Sequence, residues 1–352
     1  MAKPFVNPFV SGQFLELRVD ALVSDGRGLG RHDGVVVLVE DALPGQLVRA
    51  RVAAVRKSLA EAALVEVLER SPDEQEPPCP HAGRCGGCSW QSLAYGRQLA
   101  WKERIVHDAL ERVGKVACPP MLPILPSPSE WGYRNKMEFA FGVSGDGGKA
   151  LGLRERGSRN IVGVTGCLLQ TPLTMRVLEA VRMLSNGAFH DLDGRFLVVR
   201  EPNAGGCFVE LIVGAGGSLE AGERFAEALR AETPEVTGFA LSERLAPSDV
   251  AYGERALYAD GRLEERIGDV RLQMGHNAFF QVNTPAAELL YAEAARFAAL
   301  GELPDPVLWD VYGGVGSIGL YMGRNARVVG IEEMPGAVRY ARGNAKALGR
   351  KA

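Results

Sequence analysis

Three cysteines share one ten-residue run, Cys79-Pro-His-Ala-Gly-Arg-Cys85-Gly-Gly-Cys88. Thiols crowded as C-x5-C-x2-C point to a shared inorganic centre, since structural cysteines are usually isolated and inert. The glycines let the backbone curl around such a centre, and Pro80 stiffens the start of the turn. A single triplet does not match the paired spacing of a zinc site, and His81 sits too deep in the tight loop to complete one. A fourth, remote thiolate is therefore expected. Cys167 is the choice, because Cys118 precedes two prolines and Cys207 lies in an apolar strand pattern. Three cysteines in one run plus one remote cysteine suit a [4Fe–4S] cluster, with zinc as the alternative.

A second constellation is Gly314-Val315-Gly316-Ser317-Ile318-Gly319, which follows an apolar run and fits G-x-G-x-x-G. Glu332 closes the next apolar run. Glycines admit a ligand close to the backbone, and the acid can accept ribose hydroxyls. The spacing alone does not separate a nicotinamide dinucleotide from S-adenosylmethionine. Asp310, just before the turn, favours S-adenosylmethionine, whose sulfonium and amino groups are positive.

The elements that must carry these groups follow from periodicity. Residues 11–70 read as several short strands with period-two alternation, as in Leu15, Leu17 and Val19, which implies a small β-barrel. The run Gly26-Arg27-Gly28-Leu29-Gly30-Arg31 reads as a glycine turn of that barrel, because no helix follows it to cradle a phosphate. A proline-rich linker over 71–78 leads to the cysteines, and helical spacing marks 91–113. Strands are expected over 137–141, 196–200 and 208–213, and helices over 172–184 and 219–231. From residue 284 the order becomes helix, strand, glycine turn, helix, strand, helix, which is a βαβ unit of a doubly wound parallel sheet.

Composition sets the outer limits. The 352 residues have an ordinary globular balance, and the net charge of -3 means that any nucleic-acid contact rests on local patches. No apolar run approaches the roughly 18 residues of a membrane span, and the first residues lack a signal-peptide layout. Six cysteines without an export signal suggest a reducing, cytoplasmic setting.

Taken in order, these motifs resemble the RNA 5-methyluridine methyltransferases of the TrmA/RumA type over almost the whole chain. Residues 11–70 resemble their TRAM barrel, and 79–88 with Cys167 resemble their cluster-binding set. Tyr133-Arg134-Asn135-Lys136 is similar to a middle-domain segment, and Phe279-Phe280-Gln281-Val282-Asn283 to the family's F-x-Q-x-N stretch. Asp310 to Gly316 and Val329-Gly330-Ile331-Glu332 are similar to its cofactor motifs, although Gly313 stands where the family usually has cysteine.

The resemblance implies a multidomain α/β protein. Its parts are a TRAM barrel over 5–70, an α+β middle domain with the Fe–S site over 71–275, and a partial doubly wound methyltransferase domain over 276–352. The helix at 91–113 could also pack on the last of these. Implied partners are RNA, ribosomal or transfer, and S-adenosylmethionine; no membrane and no protein partner are expected. Gln281 would touch base and cofactor, Tyr312 would pack on the cofactor, Gly314 and Gly316 would line it, and Glu332 would hold its ribose. The family's catalytic cysteine, base glutamate and a cofactor-pocket aspartate come later in its sequence than Ala352, so no catalytic residue is assigned. The chain is expected to be C-terminally truncated, as its two-strand βαβ unit also suggests. A noncatalytic RNA-binding iron–sulfur protein is one alternative. A nicotinamide-dependent oxidoreductase is the other, and it leaves the barrel and cysteines unexplained.

Overall fold

The computed structural model describes residues 7–214 and 217–350. The chain divides into two compact units, Met1–Pro126 and Ser127–Ala352.

In the first unit, β1 (Phe14–Leu22), β2 (Gly28–His32), β3 (Val35–Glu40), β4 (Leu47–Val55) and β5 (Leu59–Glu69) close a barrel in the order β1-β2-β3-β5-β4. The pairing is antiparallel except between β3 and β5. Alternation along β1 sends Leu15, Leu17 and Val19 inward, where they meet the small side chains Val37, Val48, Ala50, Ala60 and Ala62. The glycine-rich run differs from its expected form. Gly26, at φ +95°, does turn the chain, but Gly28 and Gly30 belong to β2. A Cβ on Gly30 would lie 2.3 Å from the carbonyl oxygen of Arg18, and one on Gly28 would lie 2.7 Å from that of Ala42. These glycines serve close backbone packing at a tight barrel wall.

Helix α1 runs over Tyr95–Asp108 and ends in a π-helical turn, Ala109–Val113. It starts later than expected because Leu93 is withdrawn into a cluster with Leu22, Leu43 and Trp101. This cluster ties the cysteine region and α1 to the barrel, so the expected domain boundary at residue 70 falls inside the first unit.

The second unit is built on a seven-stranded sheet, ordered β12-β11-β10-β9-β6-β7-β8. In chain order these are β6 (Lys136–Val143), β7 (Lys149–Arg154), β8 (Ile161–Val162), β9 (Gly194–Arg200), β10 (Cys207–Val213), β11 (Val236–Glu243) and β12 (Arg255–Asp260). Helix α2 (Pro172–Asn186) is capped by Thr171, and α3 (Leu219–Glu232) by Ser218, whose hydroxyls accept from backbone N–H groups of the first turn. The α3 crossover is what lets β10 and β11 run parallel. Val177, Leu178 and Val181 of α2 and Phe225 and Leu229 of α3 pack on Phe139, Leu197, Val209 and Phe239 of the sheet.

A hairpin, β13 (Leu263–Ile267) and β14 (Val270–Met274), then leads to α4 (Thr284–Ala298), β15 (Val307–Val311), α5 (Ser317–Met322), β16 (Arg327–Ile331) and α6 (Pro335–Ala347). β15 and β16 pair in parallel, as the βαβ pattern requires. One core joins Phe208 and Ala240 of the large sheet to Ile267, Leu272, Phe280, Tyr291, Val315 and Leu320. The expected boundary at 275/276 is therefore crossed by continuous packing. Among the described residues no helix is long and apolar enough to cross a membrane.

Replacing Gly30 by alanine drives a methyl group into a backbone carbonyl that has no rotamer by which to escape. Gly30→Ala should destabilise the barrel by about 1–3 kcal/mol in urea denaturation. An unchanged midpoint would show that the wall is looser than this packing requires.

Candidate active site

β15 delivers its chain into a turn that only certain residues can make. Gly314 (φ +55°) and Gly316 (φ +86°) take left-handed conformations, and Tyr312 shares that region at φ +63°. A tyrosine held there is strained, and its side chain is 89% exposed. The Gly313 N–H donates to the carbonyl of Ile331 at 3.0 Å, which pins the turn to the end of β16. Asn344 of α6 donates to the carbonyl of Val315 at 3.0 Å, holding the far side.

Two carboxylates flank this turn in opposite environments. Asp310 is buried and accepts the Gly319 N–H at 2.9 Å. A Cβ on Gly319 would lie 2.7 Å from that oxygen, so a glycine is needed there. Burial pushes the Asp310 carboxyl above its ordinary range. Glu332 accepts the Met334 N–H at 2.8 Å and the Gly314 N–H at 2.9 Å, and these two donors hold its carboxyl below the ordinary 4.5. A cavity of about 710 Å³ opens here, with Asp310, Gly314, Gly316 and Glu332 in its wall. Backbone that admits close approach, one half-buried anion and one buried anion suit a ligand carrying a diol and a positive centre. Of the expected cofactor residues, Gly314, Gly316 and Glu332 line this cavity, whereas Gln281 and Tyr312 do not.

Gln281 belongs to a second constellation. Asn135, at the entry to β6, donates its backbone N–H to the carbonyl of Val282 at 2.9 Å. Its side-chain amide reaches the carbonyl of Gln281 at 3.0 Å, Oγ1 of Thr284 at 2.8 Å and Oε2 of Glu265 at 3.2 Å. Arg134 and Asn283 form an antiparallel bridge beside it. Asn283 in turn caps α4 by accepting the Ala286 N–H at 3.1 Å. Glu265 is buried, which pushes its carboxyl up, and it also accepts the N–H groups of Asn203 at 2.6 Å and Arg266 at 2.9 Å. The result holds Phe280 inside and leaves Phe279 76% exposed beside Gln281. Sequence reading missed Glu265, although a signal existed: period-two alternation in β13 puts it on the inward side with Leu263 and Ile267.

The cysteine loop is set by its own backbone. The Ala82 N–H donates to the carbonyl of Cys79 at 3.1 Å and the Cys85 N–H to that of His81 at 2.9 Å, closing successive turns. The Cys79 N–H reaches the Gln91 side chain at 3.3 Å, and the Trp90 indole donates to the carbonyl of Gly26 at 3.0 Å. Cys79, Cys85, Cys88, Cys118 and Cys167 are all half-buried. Among the described residues no three His, Cys, Asp or Glu side chains are gathered so as to hold a metal ion. Cys207 is fully buried in β10, and burial pushes its thiol up to about 12, as befits a structural cysteine.

Residues 8–65 match the TRAM domain. A Nitratidesulfovibrio vulgaris protein named as an uncharacterized RNA methyltransferase is 44% identical over 97% of this chain and 75% of its own length. A Thermosynechococcus vestitus protein, likewise named, is 33% identical over 95% of this chain and 76% of its own. Among solved structures, the Pyrococcus abyssi tRNA (uracil-54, C5)-methyltransferase in complex with S-adenosyl-L-homocysteine superimposes with a TM-score of 0.72. That match covers 96% of this chain and 78% of the other at 23% identity, a likeness of fold.

Because the Glu332 carboxyl is held below 4.5, its grip on Gly314 is complete above that pH and is lost as the pH falls through the depressed folded value. The contribution to stability has the same sign. In an isotope-labelled sample the Gly314 amide resonance should therefore shift with a midpoint below pH 4.5. It should stay flat in Glu332→Gln, and a midpoint at or above 4.5 would contradict the assigned bonds.

Proposed function

The chain belongs to the TRAM-bearing RNA methyltransferases of the TrmA/RumA type, and from that premise we propose that it transfers the methyl group of S-adenosylmethionine to C5 of a uridine in RNA. The observation that carries the cofactor part is the carboxylate of Glu332 bonded to the Gly314 N–H at the lip of the cavity. In this reading Glu332 takes a ribose diol, and the glycines at 314 and 316 admit the nucleoside against the backbone. Asp310 adds negative charge beneath a ligand whose sulfonium is positive.

The base-contacting part is assigned to the 279–283 segment. The amide of Gln281 offers both a donor and an acceptor, the pairing that a uracil edge requires, and Phe279 presents an exposed ring on which a base extruded from its stack can rest. In the proposed chemistry a thiolate adds to C6, C5 takes the methyl group from the sulfonium sulfur, a base removes the C5 proton, and the thiolate is expelled. No described residue is assigned as that thiolate or base; the buried Cys207 thiol is unsuited to the role.

Cys79, Cys85, Cys88 and Cys167 are proposed, from their spacing, as the ligands of a [4Fe–4S] cluster. No step of the reaction is routed through it.

Two measurements test these readings. In incubations with methyl-labelled S-adenosylmethionine and ribosomal or transfer RNA, any label transferred should lie in 5-methyluridine, and clear turnover by this chain would overturn the expectation that its nucleophile lies beyond Ala352. Label in another nucleoside would overturn the uridine assignment, and absence of S-adenosylhomocysteine binding in calorimetry would overturn the cofactor assignment. Anaerobically prepared chain should carry about four iron atoms with matching sulfide, and a chain that is iron-free after anaerobic reconstitution refutes the cluster.

A further inference from the structure

Arg200 is the one cationic side chain that is buried among the described residues. It ends β9 on the sheet face opposite α2 and α3, continuing the row of Phe196 and Val198. A row that served packing alone would end in another apolar side chain, because burying a guanidinium is costly. The charges of Glu210, Glu138 and Glu265 offset part of that cost, and Nε has no hydrogen-bond partner. The strong directed bond of this side chain goes elsewhere: Nη2 donates to the carbonyl of Ala278 at 2.6 Å.

Ala278 immediately precedes Phe279 and stands three residues before Gln281. The chain on that side is held by several further contacts. The His276 ring stacks on Phe208, with centroids 6.2 Å apart and planes 6° apart, and its Nε2 lies 3.7 Å from the buried Glu210 carboxylate. Asn277 donates to the carbonyl of Gly253 at 3.1 Å. On the other side Asn135 takes the carbonyls of Gln281 and Val282. The segment that presents Phe279 and Gln281 is therefore suspended between two backbone anchors, Arg200 at Ala278 and Asn135 at Gln281.

We propose that Arg200 is a positioning residue of the uridine site, its guanidinium fixing the Ala278 carbonyl and thereby aiming Phe279 and Gln281. The role given to the aimed side chains rests on the reading of Gln281 as the base-contacting residue. The anchoring itself does not. A guanidinium suits the task because its planar, rigid donors fix an angle as well as a distance, which an ammonium on a flexible stem does less well.

Full-length Arg200→Met and Arg200→Lys variants test this by hydrogen–deuterium exchange, together with binding of matched uridine- and cytidine-containing RNA oligomers. In Arg200→Met, exchange over 275–283 should rise about tenfold while β9, β10 and β11 keep their protection, and the preference for uridine should fall by about the same factor. Arg200→Lys should recover part of both losses, a rescue that a merely packing role would not produce. If Arg200→Met does not fold, Arg200→Gln carries the same test, since it keeps a polar group but is too short to reach Ala278. Unchanged exchange over 275–283 overturns the proposal. So does a loss spread equally over the three strands without rescue by lysine. A wild-type chain that shows no preference for uridine refutes the reading of Gln281, and the exchange result then still decides for or against the anchor.

Discussion

The Glu265 carboxylate is buried, and a buried carboxylate must be met by donors or it destabilises whatever encloses it. Its donors come from four places: the backbone at Asn203 after β9, the backbone at Arg266 in its own hairpin, the Asn135 amide at the entry to β6, and the Thr284 hydroxyl at the start of α4. One desolvated group thus fixes the mutual placement of the large sheet, the β13–β14 hairpin and the helix that follows the Gln281 segment. The Asn135 amide also holds the Gln281 carbonyl, so the geometry of that segment inherits the demand of the carboxylate for donors.

The glycine turn uses its two acids differently. Asp310 spends an oxygen on the Gly319 N–H, where it stitches the end of β15 to α5 and shapes the floor of the cavity. Its expected part in favouring a positive ligand is therefore shared with a structural one. Glu332 spends its oxygens on two backbone N–H groups near solvent and keeps lone pairs for a ligand. Burial and hydrogen bonding move the two groups in opposite directions, although both are simple carboxylates at strand ends.

Much of this was legible in the sequence where the signal is local. Alternation found the barrel strands, helical spacing found α2 and α3, and the apolar runs around Gly314 and Glu332 located the parallel pair β15–β16. Legibility ended where long-range packing decides. Leu93 leaves the helix for the core beneath Trp101, and Gly30 is glycine because of a carbonyl on a neighbouring strand; neither is visible in local pattern. The continuity of core across residue 275 depends on Phe208 meeting Phe280 and Leu272, which no local composition shift announces. Gln281 was singled out by resemblance, and the physical reason for its placement lies in Asn135 and Glu265, far away in the chain.

That distance has a consequence in time. Asn135 and Thr284 are separated by 149 residues, so on a ribosome the first waits for the second to be made. At synthesis rates of roughly 5–20 residues per second the interval is roughly 7–30 s. For most of it the entry to β6 holds an amide whose partners Glu265, Gln281 and Thr284 do not yet exist, although strands β6 to β11 could already have paired. The segment that presents Phe279 and Gln281 is thus assembled by the later part of the chain, and its maturation is paced by translation as well as by folding.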